Sequence, residues 1–277
     1  MIDLHTHTTA SDGVCTPVDL VARASSAGIR VLSVTDHDTV AGCAAAAEAC
    51  EAAGIEFVPG IEVTAVRDEV DVHILGYFID PGSPALAAFL SEQRRRRIAR
   101  VREMIDRLGR LGIALDAEAI LQPALDDPSR AVGRPWIARA LVAAGRASTT
   151  SEVFDRWLAH GRAAFVPRVA AAPEEVIDRI HEIGGIASLA HPGLLRRDEW
   201  LPPCVEAGLD ALEAYHSDHD AETRRRYLML AGKLGVAVSG GSDYHADESH
   251  GGVTLGSVSL PVEAYERLVR LKPRGSG

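Results

Sequence analysis

The sequence predicts an α/β fold, a parallel sheet or barrel interrupted by one helical insertion. Three observations carry this. Short β-rich runs alternate with Ala-rich helical stretches through short connections. One long stretch, 85–165, has no convincing strand. Histidines and carboxylates fall at the ends of the predicted strands, where barrel enzymes assemble their sites. The predicted strands are Ile2–His5, Val31–Thr35, Glu56–Val63, Val70–Ile79, Ile186–Ala190, Ala211–Tyr215 and Val236–Ser239, most of them bounded by Gly, Pro or Asp. Pro17–Ser26 reads as a helix opened by Thr16 and closed by Gly28, and Val40–Ala53 as a helix closed by Gly54. Thr254–Leu260 reads as an eighth or an edge strand.

The insertion opens with a long helical pattern that places Ile98, Val101, Ile105, Leu108 and Leu111 on one face. A Pro/Asp-rich break is expected at Gln122–Pro128, then helix around Trp136–Val142 and Val153–Leu158. The expected organisation is a discontinuous domain of residues 1–84 and 166–271, the insertion 85–165, and a tail 272–277.

The 277 residues are 25% charged and 47% hydrophobic, a globular composition with no apolar run long enough to span a membrane. The first residues lack a secretory pattern, and Cys15, Cys43, Cys50 and Cys204 form no C-x-x-C pair. A cytoplasmic location with reduced, packing cysteines is expected. The net charge of −10 argues against a duplex nucleic-acid coat protein. A small anionic substrate in a local cationic pocket remains compatible with it. The 29 basic residues comprise 27 Arg and two Lys, Lys233 and Lys272.

The chemistry concentrates in six histidines and three carboxylates. His5-Thr6-His7 ends the first strand, and Asp12 follows in Ser11-Asp12-Gly13; His37 sits in Thr35-Asp36-His37-Asp38. Glu62 follows Gly60-Ile61, His73 lies on the next strand, His191 precedes Pro192, and Asp243 and His245 close Gly241-Ser242-Asp243-Tyr244-His245. In an extended H-x-H both rings point to the same side. Nine nitrogen and oxygen ligands without thiolate suit two or three divalent ions such as Mn, Zn or Fe.

These blocks, D-L-H-T-H-T with S-D-G, V-T-D-H-D-T, G-I-E-V with His73, A-H-P and G-S-D-Y-H, resemble those of the PHP (polymerase and histidinol phosphatase) metallo-phosphoesterases, in family order. The resemblance implies a distorted (β/α)7 barrel around three divalent ions, Mn foremost. It implies that His5, His7, Glu62 and Asp243 hold the first, that Glu62 bridges to a second held by His73 and His191, and that Asp12, His37 and His245 hold the third. Six positive charges against three carboxylates would leave a pocket of +3 that attracts a phosphate dianion. A hydroxide bridging two ions is the expected nucleophile. An amidohydrolase barrel also opens with H-x-H, but its version with a carbamylated mid-barrel Lys has no residue here to use before Lys233.

Arg97 and Arg100, three apart on one helix face, and Arg134, opening the next helix, suit bidentate phosphate recognition. The insert resembles that of the small stand-alone PHP proteins which remove the 3′-phosphate of nucleoside 3′,5′-bisphosphates such as pAp. The implied substrate is thus a small nucleotide whose 5′-phosphate the insert arginines grip, with Asp12 and His37 also facing it. The implied activity is that of a phosphoric monoester hydrolase. A 5′→3′ exoribonuclease on short 5′-phosphorylated RNA is the alternative, with histidinol phosphate phosphatase third. A metal-stabilised interaction domain is the alternative of another class. His219 is a candidate for substrate contact or proton transfer, and His216 a weaker one. Asp36 and Asp38 are expected to orient ligands. His160, His181 and His250 read as surface or core residues, and Arg224-Arg225-Arg226 as a solvated helix face.

Overall fold

In the computed structural model, residues 1–126, 132–246 and 253–273 are described. Pro128, His250 and the tail beyond Pro273 lie outside them. The chain divides into two compact units, 1–89 with 171–277, and 90–170.

The first unit is built on seven strands in sequential order: β1 Ile2–Asp3, β2 Val31–Val34, β3 Glu56–Arg67, β4 Val70–Tyr77, β5 Ile186–Leu189, β6 Ala211–Tyr215 and β7 Ala237–Gly240. Helices α1 Pro17–Ser26 and α2 Cys43–Ala53 follow β1 and β2. The α1 N-cap is Thr16, whose hydroxyl accepts from Asp19 N–H, and α2 ends on Gly54 in the left-handed region. Main-chain bonds bring the two ends of the sheet together: Leu4 N–H donates to Gly240 O (3.2 Å), Asp243 N–H to His5 O (2.8 Å) and His7 N–H to Tyr244 O (2.9 Å). The result is a nearly closed barrel.

One expectation is corrected. The sheet is not wholly parallel, because β4 runs antiparallel to both β3 and β5. A two-residue turn at Asp68-Glu69, both in the left-handed region (φ 50° and 64°), reverses the chain directly into β4. Sequence alternation alone does not reveal this, since the turn carries neither Asn nor Gly.

The barrel interior changes character along its axis. Ile2, Val31, Val58, Leu75, Ile186, Ala211 and Ala237, one from each strand, form a buried apolar floor closed by Leu260, Tyr265 and Leu268. Two residues further on, with the period-two alternation of a strand, the same face turns polar or empty: Ser33, Gly60, Ser188, Glu213 and Ser239. Ser188 Oγ and Ser239 Oγ are hydrogen-bonded at 2.7 Å. One step beyond Gly60, Glu62 reaches the rim. On antiparallel β4 the order reverses, so His73 arrives there two residues before Leu75.

Leu32, Val34, Leu20, Ala24, Ala46 and Cys50 form a separate core between β2 and helices α1 and α2. All four cysteines are buried and unpaired. Thr254–Leu260 is not a strand. Leu260 N–H donates to Ile2 O and Ile2 N–H to Ser259 Oγ, both at 3.0 Å, after a turn at Gly256. The helix α3 Pro84–Arg110 leads into the second unit, which holds α4 Ala117–Asp126, α5 Arg134–Ala143 and α6 Thr150–Val153 with a π turn at Phe154–Leu158. Ile98, Val101, Ile105 and Leu108 are buried with Leu121, Ile137, Leu141 and Leu158. Leu111 is instead exposed, because the chain leaves the helix at Gly112 (φ 80°). The described part of the expected break is helical: α4 runs through Pro123 to Asp126. The ring removes a single backbone bond there, while Leu121 and Ala124 on either side stay in the core. In the first unit α7 Pro173–Glu182, α8 Pro192–Leu195, α9 Leu201–Glu206, α10 Ala221–Leu234 and α11 Val262–Leu271 complete the chain. No helix among the described residues is long and apolar enough to cross a membrane.

Closure of the barrel leaves no room at Gly241, where an added Cβ would lie 2.3 Å from His5 N. Gly241→Ala is expected to destabilise the protein by about 1–3 kcal/mol, the usual cost of overpacking. Urea unfolding checks this, and an unchanged midpoint would show that the seam yields.

Candidate metal centre

The end of β1 continues extended, so His5 and His7 project to one side while Thr6 turns away and its hydroxyl donates to Ser33 O (2.6 Å). Glu62 stands between them and the rest of the site. Its Oε2 lies 3.2 Å from His5 Nε2, His7 Nε2 and His37 Nδ1 alike. Its Oε1 lies 2.9 Å from His73 Nδ1 and 3.1 Å from His191 Nε2. Five imidazoles thus surround one buried carboxylate.

Asp243 reaches the same rings from β7, with Oδ1 3.3 Å from His5 Nε2 and 3.1 Å from His7 Nε2. Asp12 is half-exposed. Its Oδ1 is 3.4 Å from His245 Nε2 and 3.6 Å from His7 Nδ1, and its Oδ2 is 3.8 Å from His37 Nε2. All nine predicted ligands therefore meet at one rim. Among the described residues, four groups could each converge on one ion: His7, Asp12, His37 and His245; His5, His7 and Asp243; His5, Glu213 and His216; and His37, Glu62 and His73.

Neighbouring side chains aim these groups. Asp36 accepts from Thr8 N–H and Thr8 Oγ1–H and from Ser11 Oγ–H, all at 2.7 Å, which ties down the loop carrying Asp12. Asp38 accepts from Thr64 N–H (2.8 Å), fixing the His37 segment against β3. Asp3 accepts from Ser242 N–H (2.8 Å) and Oγ–H (2.7 Å), next to Asp243. His245 Nδ1–H donates to the main-chain oxygen of Asp243 (2.9 Å), which points Nε2 towards Asp12.

Two groups join the site that the sequence reading undervalued or missed. Glu213 on β6 bonds His5 Nδ1 (2.9 Å), and a charged residue inside an otherwise apolar strand was the available signal. His216 accepts from Asp218 N–H through Nδ1 (3.1 Å), so its Nε2–H faces Asp243 Oδ2 at 3.4 Å. Both ring nitrogens of His219 are engaged. Its Nδ1–H donates to Ala214 O and its Nε2 accepts from Gly193 N–H, both at 3.1 Å. Within the second unit, Arg100 Nε–H donates to Val166 O (2.8 Å), and the Arg134 guanidinium at the start of α5 lies over the rings of Phe154 and Phe165. Arg97 is carried by α3. His181 pairs with Asp210 at 2.7 Å.

Residues 3–122 match the PHP domain family. A 5′-3′ exoribonuclease, Rnm, of Salmonella typhimurium is 39% identical over 252 residues, spanning 88% of this chain and 84% of its own length. The chain belongs to the PHP domain family. A 3′,5′-nucleoside bisphosphate phosphatase of Chromobacterium violaceum, another relative, is 34% identical over 88% of this chain and 87% of its own. A crystal structure from Bifidobacterium adolescentis, assigned as a metal-dependent phosphoesterase, superposes with a TM-score of 0.80 at 32% identity, covering 98% and 96% of the two chains. This PHP protein is accordingly a metal-dependent phosphoester hydrolase.

The donor set fits that metal dependence. His7 Nδ1 and Nε2, His37 Nδ1 and His73 Nδ1 are buried imidazole nitrogens that lie near carboxylate oxygens but make no well-directed hydrogen bond. Leaving such atoms unsatisfied is costly, and a divalent ion accepts lone pairs from several at once. The electrostatics point the same way. Burial opposes charge on Glu62, yet His37, His5 and His73 hold its carboxyl well below the ordinary range. Burial likewise opposes charge on His7, but Asp243 and Glu62 raise it to about 10. His37 is pushed down to about 3 by burial and by the neighbouring His7 and His73. Without an ion, the acids thus draw a proton onto His7, while burial and the neighbouring rings keep one off His37.

This fixes a pH dependence for protein held in chelator. His7 is charged when folded up to about pH 10 but neutral when unfolded above its ordinary 6.5, so its contribution is lost as pH rises through that window. His37, lowered when folded, alters stability only below its ordinary 6.5. Thermal melts in chelator should therefore fall across that range. Loading with Mn2+ near neutral pH should release protons, read as a buffer-dependent heat. A flat melting profile and a buffer-independent heat would contradict both.

Proposed function

We propose that this PHP protein hydrolyses the ester to the 3′ oxygen of 5′-phosphorylated nucleotides, releasing the 3′-phosphate of nucleoside 3′,5′-bisphosphates such as pAp. The observation that carries the reading is the single buried Glu62 within 3.2 Å of five imidazoles, flanked by Asp243 and Asp12. His5, His7, Glu62 and Asp243 would hold one ion, Glu62, His73 and His191 a second, and Asp12, His37 and His245 a third, Mn being favoured over Fe or Zn. Divalent ions bound there would supply an acidified water and neutralise the phosphoryl oxygens.

The side chains themselves do the rest. Glu62 and Asp243 hold the imidazoles in one cluster, and the half-exposed Asp12, with His37 beside it, forms the open side on which a phosphate can seat. Arg97, Arg100 and Arg134 would take the 5′-phosphate, which orients the nucleotide so that its 3′ end is the one that reacts. Water adds across the P–O3′ bond, giving inorganic phosphate and a nucleoside 5′-monophosphate.

A second reading is favoured by the higher identity to the Salmonella exoribonuclease. If a nucleotide follows the 3′ phosphorus, breaking the same bond releases a 5′-mononucleotide and leaves a shortened 5′-phosphorylated RNA. Mn-loaded protein incubated with pAp and with a 5′-phosphorylated RNA tetramer, with Asp243→Asn as control, separates the two. Conversion of pAp to AMP with the tetramer slow or untouched is expected. Fast release of mononucleotides would select the exoribonuclease, and loss of the 5′-phosphate would overturn both. Arg97→Ala, Arg100→Ala and Arg134→Ala should each raise KM for pAp by about 10- to 100-fold, as expected for a lost charge-assisted bond, with smaller changes in kcat.

A further inference from the structure

The strand β6 supplies none of the nine ligands proposed above, yet it carries a fully buried carboxylate. Both oxygens of Glu213 are engaged. Oε1 accepts from His5 Nδ1–H (2.9 Å), and Oε2 accepts from the main-chain N–H of His191 (2.7 Å). These two ligands come from opposite parts of the barrel, the end of β1 and the end of β5. We propose that Glu213 is a positioning residue of the metal centre, one carboxylate fixing the ring of His5 and the backbone of His191 at once.

The chemistry at each end is specific. A neutral imidazole has one N–H and one lone pair. With Nδ1–H given to Glu213, the lone pair of His5 is on Nε2, which faces Glu62 and Asp243 at 3.2 and 3.3 Å. At the other end, His191 has φ 26°, a left-handed conformation that side chains rarely adopt, and needs an external restraint. Glu213 restrains its N–H. His219 restrains the N–H of Gly193 two residues later, its own ring being fixed by Ala214 O. The His191-Pro192-Gly193 turn is thus gripped at both ends from β6 and its following loop, and His191 Nε2 is held 3.1 Å from Glu62 Oε1.

Glu213 also lies within ligand reach of His5 and His216, so a direct ligand role is the competing explanation. It would require His5 to turn its only lone pair away from Glu62 and Asp243.

The inference rests on the ligand set proposed above, and the experiment separates the two. Mn2+ binding to chelator-stripped full-length protein is measured by equilibrium dialysis for the wild type, Glu213→Gln and Glu213→Ala, with melting in chelator alongside. A wild type that binds no Mn2+ would overturn the ligand set itself. The Gln amide can accept from one donor, but its NH2 then faces the other. The expected result, at a temperature where the variants in chelator stay folded, is Mn2+ affinity about 10- to 100-fold weaker with unchanged stoichiometry at saturation, together with a lower melting temperature in chelator from the lost restraint on His191. Affinity within threefold of the wild type at that temperature, or loss of one whole ion, would each overturn it. If neither variant folds, imidazole 15N spectra of Zn-loaded wild type decide. A slowly exchanging His5 Nδ1–H supports the proposal, and a metal shift on Nδ1 refutes it.

Discussion

The site is organised by attraction between one buried negative charge and the rings around it. Five imidazoles packed this closely would repel one another wherever two were charged, and the His7 and His37 ring centroids are only 4.7 Å apart. Glu62 makes the arrangement possible because both of its oxygens face imidazole nitrogens at about hydrogen-bond distance, in surroundings where water does not screen the interaction. Remove that charge and each ring would have to neutralise or move. The barrel is the means of delivery. Its apolar floor, its serine, glycine and glutamate layer and its rim follow from alternation along strands that keep the same residues facing inward.

Holding so many polar groups in one place imposes backbone conformations that a free chain avoids. His191 (φ 26°), Asp243 (φ 56°) and Asp38 (φ 54°) all occupy the left-handed region without being glycine. Each such residue costs on the order of 1–3 kcal/mol and persists only where its surroundings over-determine it. The surroundings here are carboxylates, the buried Glu213 on His191 N–H and Asp3 on Ser242 N–H, and the half-buried Asp38 itself on Thr64 N–H. The acid-rich barrel is therefore a restraint system as well as a ligand set. Asp3 shows the expense, since burial pushes its carboxyl above the ordinary value despite its hydrogen bonds.

What could be read in the sequence follows from which signals are local. The H-x-H dipeptide step, Glu62 two residues beyond Gly60, and His191 and Asp243 at strand ends are fixed by strand periodicity, and the structure brings all of them together. The direction of β4 was not legible, because it depends on left-handed conformations at Asp68 and Glu69 that their side chains do not favour. Glu213 was passed over inside Ala211–Tyr215, where four apolar neighbours define a strand and the fifth residue reads as an exception. The continuation of α4 through Pro123 was hidden for the opposite reason: the local signal was strong, and burial of Leu121 and Ala124 overrode it.

The ligand blocks also limit what can distinguish one PHP reaction from another. The exoribonuclease and the bisphosphate phosphatase each align over 88% of this chain, so proteins with different named activities resemble it over most of its length. In the function proposed above, breaking the P–O3′ bond would ask the same of Glu62, Asp243 and the imidazoles whether a proton or a nucleotide lies beyond the phosphorus. Selection must then come from side chains that recognise the substrate rather than react with it. In a chain of net charge −10, screened within about 8 Å at physiological salt, an approaching phosphate responds to the nearest cations and not to the overall charge. In the function proposed above, the arginines on α3 and at the start of α5 would make that choice, because a guanidinium discriminates a terminal phosphate by geometry as well as by charge.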